Sequence, residues 1–504
     1  MLPKSQAKPH VVIIGAGPAG LTTAYELTRY GVLSTVLERD PHKVGGLSRT
    51  AEYKGFRFDI GGHRFFSKSQ EIEDFWTEIL ADRMLERGRL SRIFYRNRFF
   101  DYPLKPLNAL TNLGIPTASA CLLSYAQAKV FPPKQVRSFE DWVVMSFGRV
   151  LYEIFFKTYT EKVWGIPCSE ISADWAAQRI KGLSMASLIK TTLLPAPKQR
   201  GALIKTLIDR FRYPGRGPGE MWEAVAERIG ERGCCVEMDA GVTRLDWGTD
   251  GLKTVWTRNG SHQGTHFVST MPLRELVESL NPPAPQPVRA AAARLGYRDF
   301  ITVALVIDQP ECFPDNWIYI HDASVKLGRI QNFKNWSPEM VPDPRYTCLG
   351  LEYFCFEGDG LWTASDAELI ELGKREVASL GLIDPAKVVD GTAVRQAKAY
   401  PVYDDFYAHN VQIIREFLEC EIPNLQLAGR NGMHRYNNQD HAMMTGILAA
   451  RNIAAGGTYD LWAVNSDAQY QEEIREGETD ISGRQVPRRL KPAQTGSTVD
   501  GAMP

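Results

Sequence analysis

The sequence predicts an α/β protein organised on a parallel sheet, with a helical region and an antiparallel-sheet region set into it. Three observations carry this prediction. The stretch VVIIGAGPAGLTTAYELTRYG, residues 11–31, reads as a buried strand, a glycine-spaced turn and a helix, and LSTVLERD follows as a second strand. Further on, RDFITVALVID and RYTCLGLEYFCF alternate or run apolar as sheet strands do. The 504 residues are too many for one compact core and call for two or more units.

Charge and composition narrow the function. Lys+Arg and Asp+Glu each number 59, so nothing in the overall balance directs the chain to nucleic acid or to an anionic membrane surface. Attraction for an anionic ligand must then be local. The eight cysteines are scattered with no CxxC, which indicates neither a disulfide framework nor a metal site and fits a reducing cytoplasm. MLPKSQAKPH runs straight into the first strand, so no signal peptide is expected. The longest uncharged run, Pro106 to Ala128, carries Pro, Asn, Thr, Ser and Gln. It predicts a helix outside the membrane rather than a transmembrane segment, and leaves contact with a bilayer surface open. From Asp467 the composition predicts a mobile polar tail, 467–504.

The elements follow in order. Gly15 permits a tight turn, Gly17 lets a pyrophosphate approach the backbone, and Gly20 brings helix and strand together. The helix N-terminus then offers unpaired N–H groups to the phosphates. The second strand delivers Glu38, a carboxylate placed to accept hydrogen bonds from ribose hydroxyls. In RDPHKVGGLSRT, Gly45 and Gly46 form a second stretch where backbone can run close to a ligand. FDIGGHRFF, residues 58–66, then puts two more glycines beside His63, a ring that titrates near neutrality. A hydrogen-bonded scaffold histidine is the alternative reading of His63.

Taken together, these residues resemble the flavoprotein superfamily of amine oxidases, protoporphyrinogen oxidases, carotenoid desaturases and UDP-galactopyranose mutases, in which GGxS lies along the FAD pyrophosphate. Within it, GGH resembles the mutases, and five further segments agree in the same order. FFKTYTEKVWGIPCSEISADWAAQRIKG (155–182) is similar to the mutase KVW-x-x-P turn, here Lys162, Val163, Trp164 and Pro167, leading to Arg179. YPGRGPGEMWEAVAERI (213–229) and FVSTMPLRELV (267–277) resemble its re-entry loop and a later strand, and LGRIQNFKNWSP (327–338) the strand with the second substrate arginine, here Arg329. GRNGMHRYNNQDHAMMTGILAARNI (429–453) resembles the C-terminal flavin motif. RFFDYPLKPL (98–107) resembles the segment that caps the uridine, with Lys105 where that family often has glutamine. Between Tyr436 and Asn438 the chain is two residues shorter than the eukaryotic mutase pattern.

The resemblance implies a Rossmann-like discontinuous FAD-binding domain (1–95, 212–290 and 390–465). A helical cap region (96–211) and an antiparallel-sheet substrate region (291–389) are inserted into it. It implies FAD held by Gly15, Gly17, Ala19, Gly20, Glu38 and Arg39, by Gly45, Gly46, Leu47 and Ser48, by Gly61, Gly62 and His63, and by Val236. Gly429, Arg430, Gln439, Asp440 and Met443 complete that set, with a helix near Ala442 aimed at the flavin pyrimidine. His63, Arg179 and Arg329 would be catalytic. Tyr102, Lys105, Trp164, Tyr319, Asn332, Tyr403 and Tyr436 would join Arg179 and Arg329 in binding substrate.

The activity implied is a pyranose–furanose mutase on a nucleotide sugar, with no net redox change. Reduced flavin N5 displaces the nucleoside diphosphate while Arg179 and Arg329 hold it. Two other readings stay open: an FAD-dependent oxidase or desaturase with an apolar substrate tunnel, and a flavin-bound partner protein without turnover. NAD(P)H as reductant and a homo-oligomer are open as well.

Overall fold

The structure is a computed structural model that describes residues 9–102, 104, 106–132, 135–173 and 210–465. Arg179, Lys105 and the tail expected from Asp467 lie outside the described residues.

Five parallel strands form the nucleotide end, in the order Leu425–Leu427, His266–Ser269, Val11–Ile14, Ser34–Leu37 and Cys235–Glu237. Val11 to Ile14 are all buried, as a central strand covered on both faces requires. The following helix, Pro18–Arg29, starts with proline at its first turn, where no donor is lost. It crosses the long C-terminal helix Gln439–Ala454 at Gly446, where an added Cβ would stand 2.4 Å from the Ala19 carbonyl oxygen. A smaller sheet of four strands, with residues drawn from 242–281, packs beside this unit.

The second large sheet has seven strands, in the order Val388–Pro401, Tyr297–Ile307, Thr347–Cys355, Arg329–Asn332, Trp317–Ile320, Ser91–Tyr95 and Arg98–Asp101. All pairs are antiparallel except Trp317–Ile320 with Ser91–Tyr95. This corrects the boundaries expected from sequence. The sheet recruits strands on both sides of 291–389, and a cut after residue 95 would separate the hairpin Ser91–Tyr95/Arg98–Asp101 that closes its edge.

One face of the sheet carries Ile318, Ile330, Leu349, Leu351, Ile301 and Val303 into a buried cluster. The helix Asp366–Ser379 covers it, packed so closely that a Cβ on Gly373 would meet Leu351 at 2.6 Å. The opposite face roofs a cleft against the nucleotide unit. Between 96 and 173 the described chain is mainly helical: Ile115–Val130, Phe139–Phe147 with a Ser138/Asp141 capping box, and Thr158–Trp164. Their aromatic core holds Trp164 and Tyr403 and packs against the partly buried rings of Tyr319, Tyr400 and Tyr436.

Candidate active site

The glycine turns make a cradle that only backbone can line. Gly15 has φ +100°, a conformation that favours glycine, and a Cβ on Gly20 would lie 1.9 Å from the Gly15 oxygen. The Gly45 N–H donates to the Ala16 carbonyl at 2.8 Å, bringing the second glycine loop onto the first. There a Cβ on Gly46 would stand 3.2 Å from Gly17 Cα. Glu38 is buried at the end of its strand, and its carboxylate accepts the Ala16 N–H at 2.7 Å and the Asp40 N–H at 2.9 Å. Each carboxylate oxygen retains a lone pair for a ribose hydroxyl. Val236 pairs with Val36 on the next strand, and Ser48 is buried. Leu47 packs beside Ile60 and Phe300, whereas exposed Arg39 faces Glu275 at 3.8 Å.

At the far end of the cradle lies the GGH turn. Gly61 adopts φ +87°, Gly62 is exposed in the cleft, and a Cβ there would reach Gln331 Nε2 at 2.8 Å. Close by, Gly429 approaches Ala19, and Arg430 donates to the carbonyls of Asn437 at 2.9 Å and Ala399 at 3.1 Å. Gln439 Nε2 donates to the Arg64 carbonyl at 3.4 Å, while Gln439 Oε1 is buried without a protein partner. Asp440 accepts from Ser67 at 3.2 Å. A dinucleotide with a planar ring fits this arrangement of side-chain-free surface, a ribose acid and an orphaned amide oxygen.

Two expectations need correction. The C-terminal helix begins at Gln439 rather than near Ala442, which already bonds back to Asn438 inside the first turn. Met443 is fully buried with its sulfur facing Trp76 Nε1 at 3.2 Å, so it packs behind the cleft.

His63 lies where cradle and roof meet. Its Nδ1 is 3.0 Å from the Gly61 oxygen, and the residue is only partly buried. Burial, with the nearby charges of Arg430 and Arg329, pulls its pKa down to about 3, so the ring is neutral at physiological pH. Behind the turn, fully buried Asp59 accepts the Tyr213 hydroxyl at 2.9 Å, and burial raises its carboxyl well above the usual range.

The roof presents Arg329 by strand register. Tyr319, Arg329 and Glu352 stand directly opposite one another on three adjacent strands, so their side chains share one face. Arg329 Nε donates to fully buried Glu352, which also takes Gln331 Nε2 at 2.8 Å. Despite the opposing effect of burial, Glu352 raises the Arg329 pKa well above its usual value. The Arg329 side chain is 18% exposed, and one edge of its guanidinium is held by Glu352.

The same alternation corrects Asn332. Three residues from Arg329, it faces the other way and bonds the Phe313 carbonyl at 3.1 Å. Gln331, not singled out from the sequence, takes the cleft side.

Aromatic rings continue the lining. Tyr319 meets Tyr102 at 4.9 Å and Tyr159 at 5.5 Å, Tyr400 stacks on Tyr436 at 5.6 Å, and Trp164 touches Tyr400, Tyr403 and Tyr436 at 6.1–6.3 Å. The Arg430 guanidinium lies over Tyr436 at 4.8 Å, and Arg89 over Tyr102 at 5.3 Å. Tyr403 is mostly buried and accepts the Tyr436 N–H, which makes it a support for Tyr436. Tyr159, Tyr400, Glu352 and Arg89 join Gln331 as lining and supporting residues that sequence reasoning did not find. Burial raises the hydroxyl pKa of both Tyr159 and Tyr400, which keeps them hydrogen-bond donors.

Lys162 explains the KVW motif. Its ammonium bonds the carbonyls of Ile320, Asp322 and Leu327, the last of them two residues before Arg329, and burial lowers its pKa to about 8. Arg298 holds the same turn through the Val163 and Lys162 carbonyls at 3.1 and 3.2 Å. Among the described residues no group of His, Cys, Asp and Glu side chains is arranged to hold a metal ion.

A dinucleotide cradle opening on a sheet-roofed cleft defines the class of FAD-binding enzymes. The chain belongs to the family described as "Flavin containing amine oxidoreductase", whose model matches residues 18–454, and FAD is its cofactor. The chain is similar over 173 residues, at 26% identity, to the Klebsiella pneumoniae protein named "Probable UDP-galactopyranose mutase"; the match covers 33% of this chain and 43% of that one. Phytoene dehydrogenase of Streptomyces griseus is 38% identical over 94 residues, 18% of each chain. The chain thus spans less than half the length of these two curated relatives. Among solved structures, reduced UDP-galactopyranose mutase superposes with a TM-score of 0.79 at 23% identity, over 92% of this chain and 97% of that one. Putrescine oxidase bound to putrescine gives 0.60 at 17% identity, over 89% and 99%. At these identities the likeness of the solved structures is one of fold.

Proposed function

We propose that the protein is a flavin-dependent mutase that interconverts pyranose and furanose forms of a nucleotide sugar. One observation carries the reading: the cleft beside the GGH turn is lined by guanidinium groups and tyrosines, where an oxidase of apolar substrates needs an apolar tunnel. Arg329 and Arg430 face Tyr159, Tyr319, Tyr400 and Tyr436, and Glu352, the carboxylate paired with Arg329, lies behind the lining. That balance favours an anion.

Arg329 suits a diphosphate because its planar fork supplies two charge-assisted hydrogen bonds, and Glu352 fixes the fork's orientation before substrate arrives. The phosphate charge that grows as the sugar bond breaks is then met without reorganisation. Arg179 is proposed as the second clamp. Tyr102 and Tyr319, tilted against each other near Arg89, offer ring faces to a nucleobase. Neutral His63 exchanges hydrogen bonds with ligand or cofactor without adding charge. Bound FAD, when reduced, supplies the electron-rich ring nitrogen that such an exchange requires.

The test is anaerobic incubation of the dithionite-reduced, FAD-loaded protein with UDP-galactopyranose and other nucleotide sugars, separating the two ring forms by chromatography. Furanose product from the reduced sample alone is expected. Reduction of the flavin by a polyene, tetrapyrrole or amine, with no ring-form exchange, would overturn the reading.

A further inference from the structure

We propose that the outer face of the helix Ile115–Val130 is a docking surface for an anionic lipid bilayer, on which the protein rests without crossing it. This does not depend on the nucleotide-sugar reading.

The inner side of this helix is committed to the fold. Ala118, Cys121 and Ala128 are buried, Ser124 Oγ accepts the Val150 N–H at 3.2 Å, and a Cβ on Gly148 would lie 2.6 Å from the Tyr125 nitrogen. The outer side is largely apolar as well. Ile115 is 82% exposed, Leu123 72% and Val130 68%, with Leu122 beside them and Phe131 just past the end at 76%. Positions 115, 122, 123 and 130 recur at helical spacing, so they form one stripe, and two small exposed residues, Ser119 and Ala126, fill the intervals. A helix apolar on both sides is expected to be covered, and an exposed stripe of this kind marks an interaction surface.

Charge selects the occupant. Residues 102–139 contain Lys105, Lys129, Lys134 and Arg137 and no acid. Residues 175–208 contain Arg179, Lys181, Lys190, Lys198, Arg200 and Lys205, again with no acid. In a chain whose charges balance at 59 each, this leaves the inserted region strongly positive. Two copies would carry the same excess, which opposes their association, whereas an anionic lipid surface complements it.

Arg98 bonds the Asn112 carbonyl at 2.7 Å just before the helix begins, and Lys129 lies in its last turn, so positive charge brackets the stripe. Of the acids on the packed elements, Glu140 is tied to Arg149 and Tyr152, Asp141 serves its helix cap, and Glu153 is exposed. No described helix is long and apolar enough to cross a membrane, so the contact is in-plane.

The experiment is sedimentation of the full-length, FAD-loaded protein with vesicles of phosphatidylcholine containing phosphatidylglycerol, and with phosphatidylcholine alone. Binding to the mixed vesicles at low salt is expected, with much less at high salt or to the neutral vesicles. Leu123→Glu should lower binding about tenfold or more with the flavin absorption spectrum unchanged. Phe131→Ser, outside the helix, should weaken it too and serves as the second variant. Three results would overturn the proposal: no binding to mixed vesicles, binding undiminished in both variants, or a self-association that Leu123→Glu abolishes, which assigns the face to a second copy.

Discussion

The pairing of Arg329 with Glu352 permits a worked test. Glu352 has no exposed surface, and its carboxylate is satisfied by two side chains, Arg329 and Gln331. Arg329→Met removes the charged partner and leaves the carboxylate with one amide, so a cost of about 3–5 kcal/mol in stability is expected. Glu352→Leu should cost less, about 1–3 kcal/mol, because Arg329 is partly open to the cleft and water can solvate it. In the double variant neither charge is left unpaired. Its cost should fall below the sum of the singles by about 2 kcal/mol or more. The assay is urea unfolding at fixed, saturating FAD, followed by flavin and tryptophan fluorescence, with the cycle evaluated where both probes coincide. Single costs that add to within about 0.5 kcal/mol would show that the pair is not a coupled unit and refute the argument.

Three further outcomes are expected. UDP affinity, followed by flavin fluorescence, should fall by about 2–5 kcal/mol in Arg329→Ala and recover only in part in Arg329→Lys, whose ammonium lacks the planar fork; equal affinity in all three proteins would remove Arg329 from the ligand. Gly446→Ala should destabilise by about 1–3 kcal/mol and weaken FAD retention, because the new methyl meets the Ala19 carbonyl where two helices cross; unchanged retention would count against that helix contact as a support of the cradle. Stability should also decline as pH falls from about 6.5. Burial lowers the pKa of His321 to about 3 and of His434 to about 4, so the unfolded chain takes up protons that the fold refuses. By about pH 4.5 the loss is about 2–3 kcal/mol from each, with less from His63, which stays partly open. A urea midpoint independent of pH across this window, or one that His434→Gln leaves equally pH-dependent, would contradict the linkage.

How much of this was legible in the sequence depends on whether the signal was local. The strand–turn–helix at Val11–Arg29 was legible because glycine spacing and buried apolar residues fix local geometry without reference to the rest of the chain. The seven-stranded sheet was legible only in its middle. Its edge hairpin, 91–101, and its long strand Val388–Pro401 are joined to it by pairings distant in sequence, which local pattern does not report. Tyr159 and Tyr400 went unseen for the same reason. A tyrosine carries no motif of its own, and these two enter the cleft because separate elements bring their rings to Tyr319 and Tyr436.

Glu352 and Asn332 are different, since the sequence held the means to place both. In TCLGLEYFC a lone acid interrupts a fully buried strand, and a charge there must have a partner; an arginine on the adjoining strand answers that demand. Along Arg329–Asn332 the strand alternates with period two, so a residue three places from Arg329 belongs to the opposite face, and Gln331 to the same one. Motif position suggested Asn332, and pleat geometry overrules it. Where a functional residue lies on a strand, therefore, the parity of its spacing from a known neighbour is the stronger guide, because register leaves a side chain only two directions to point.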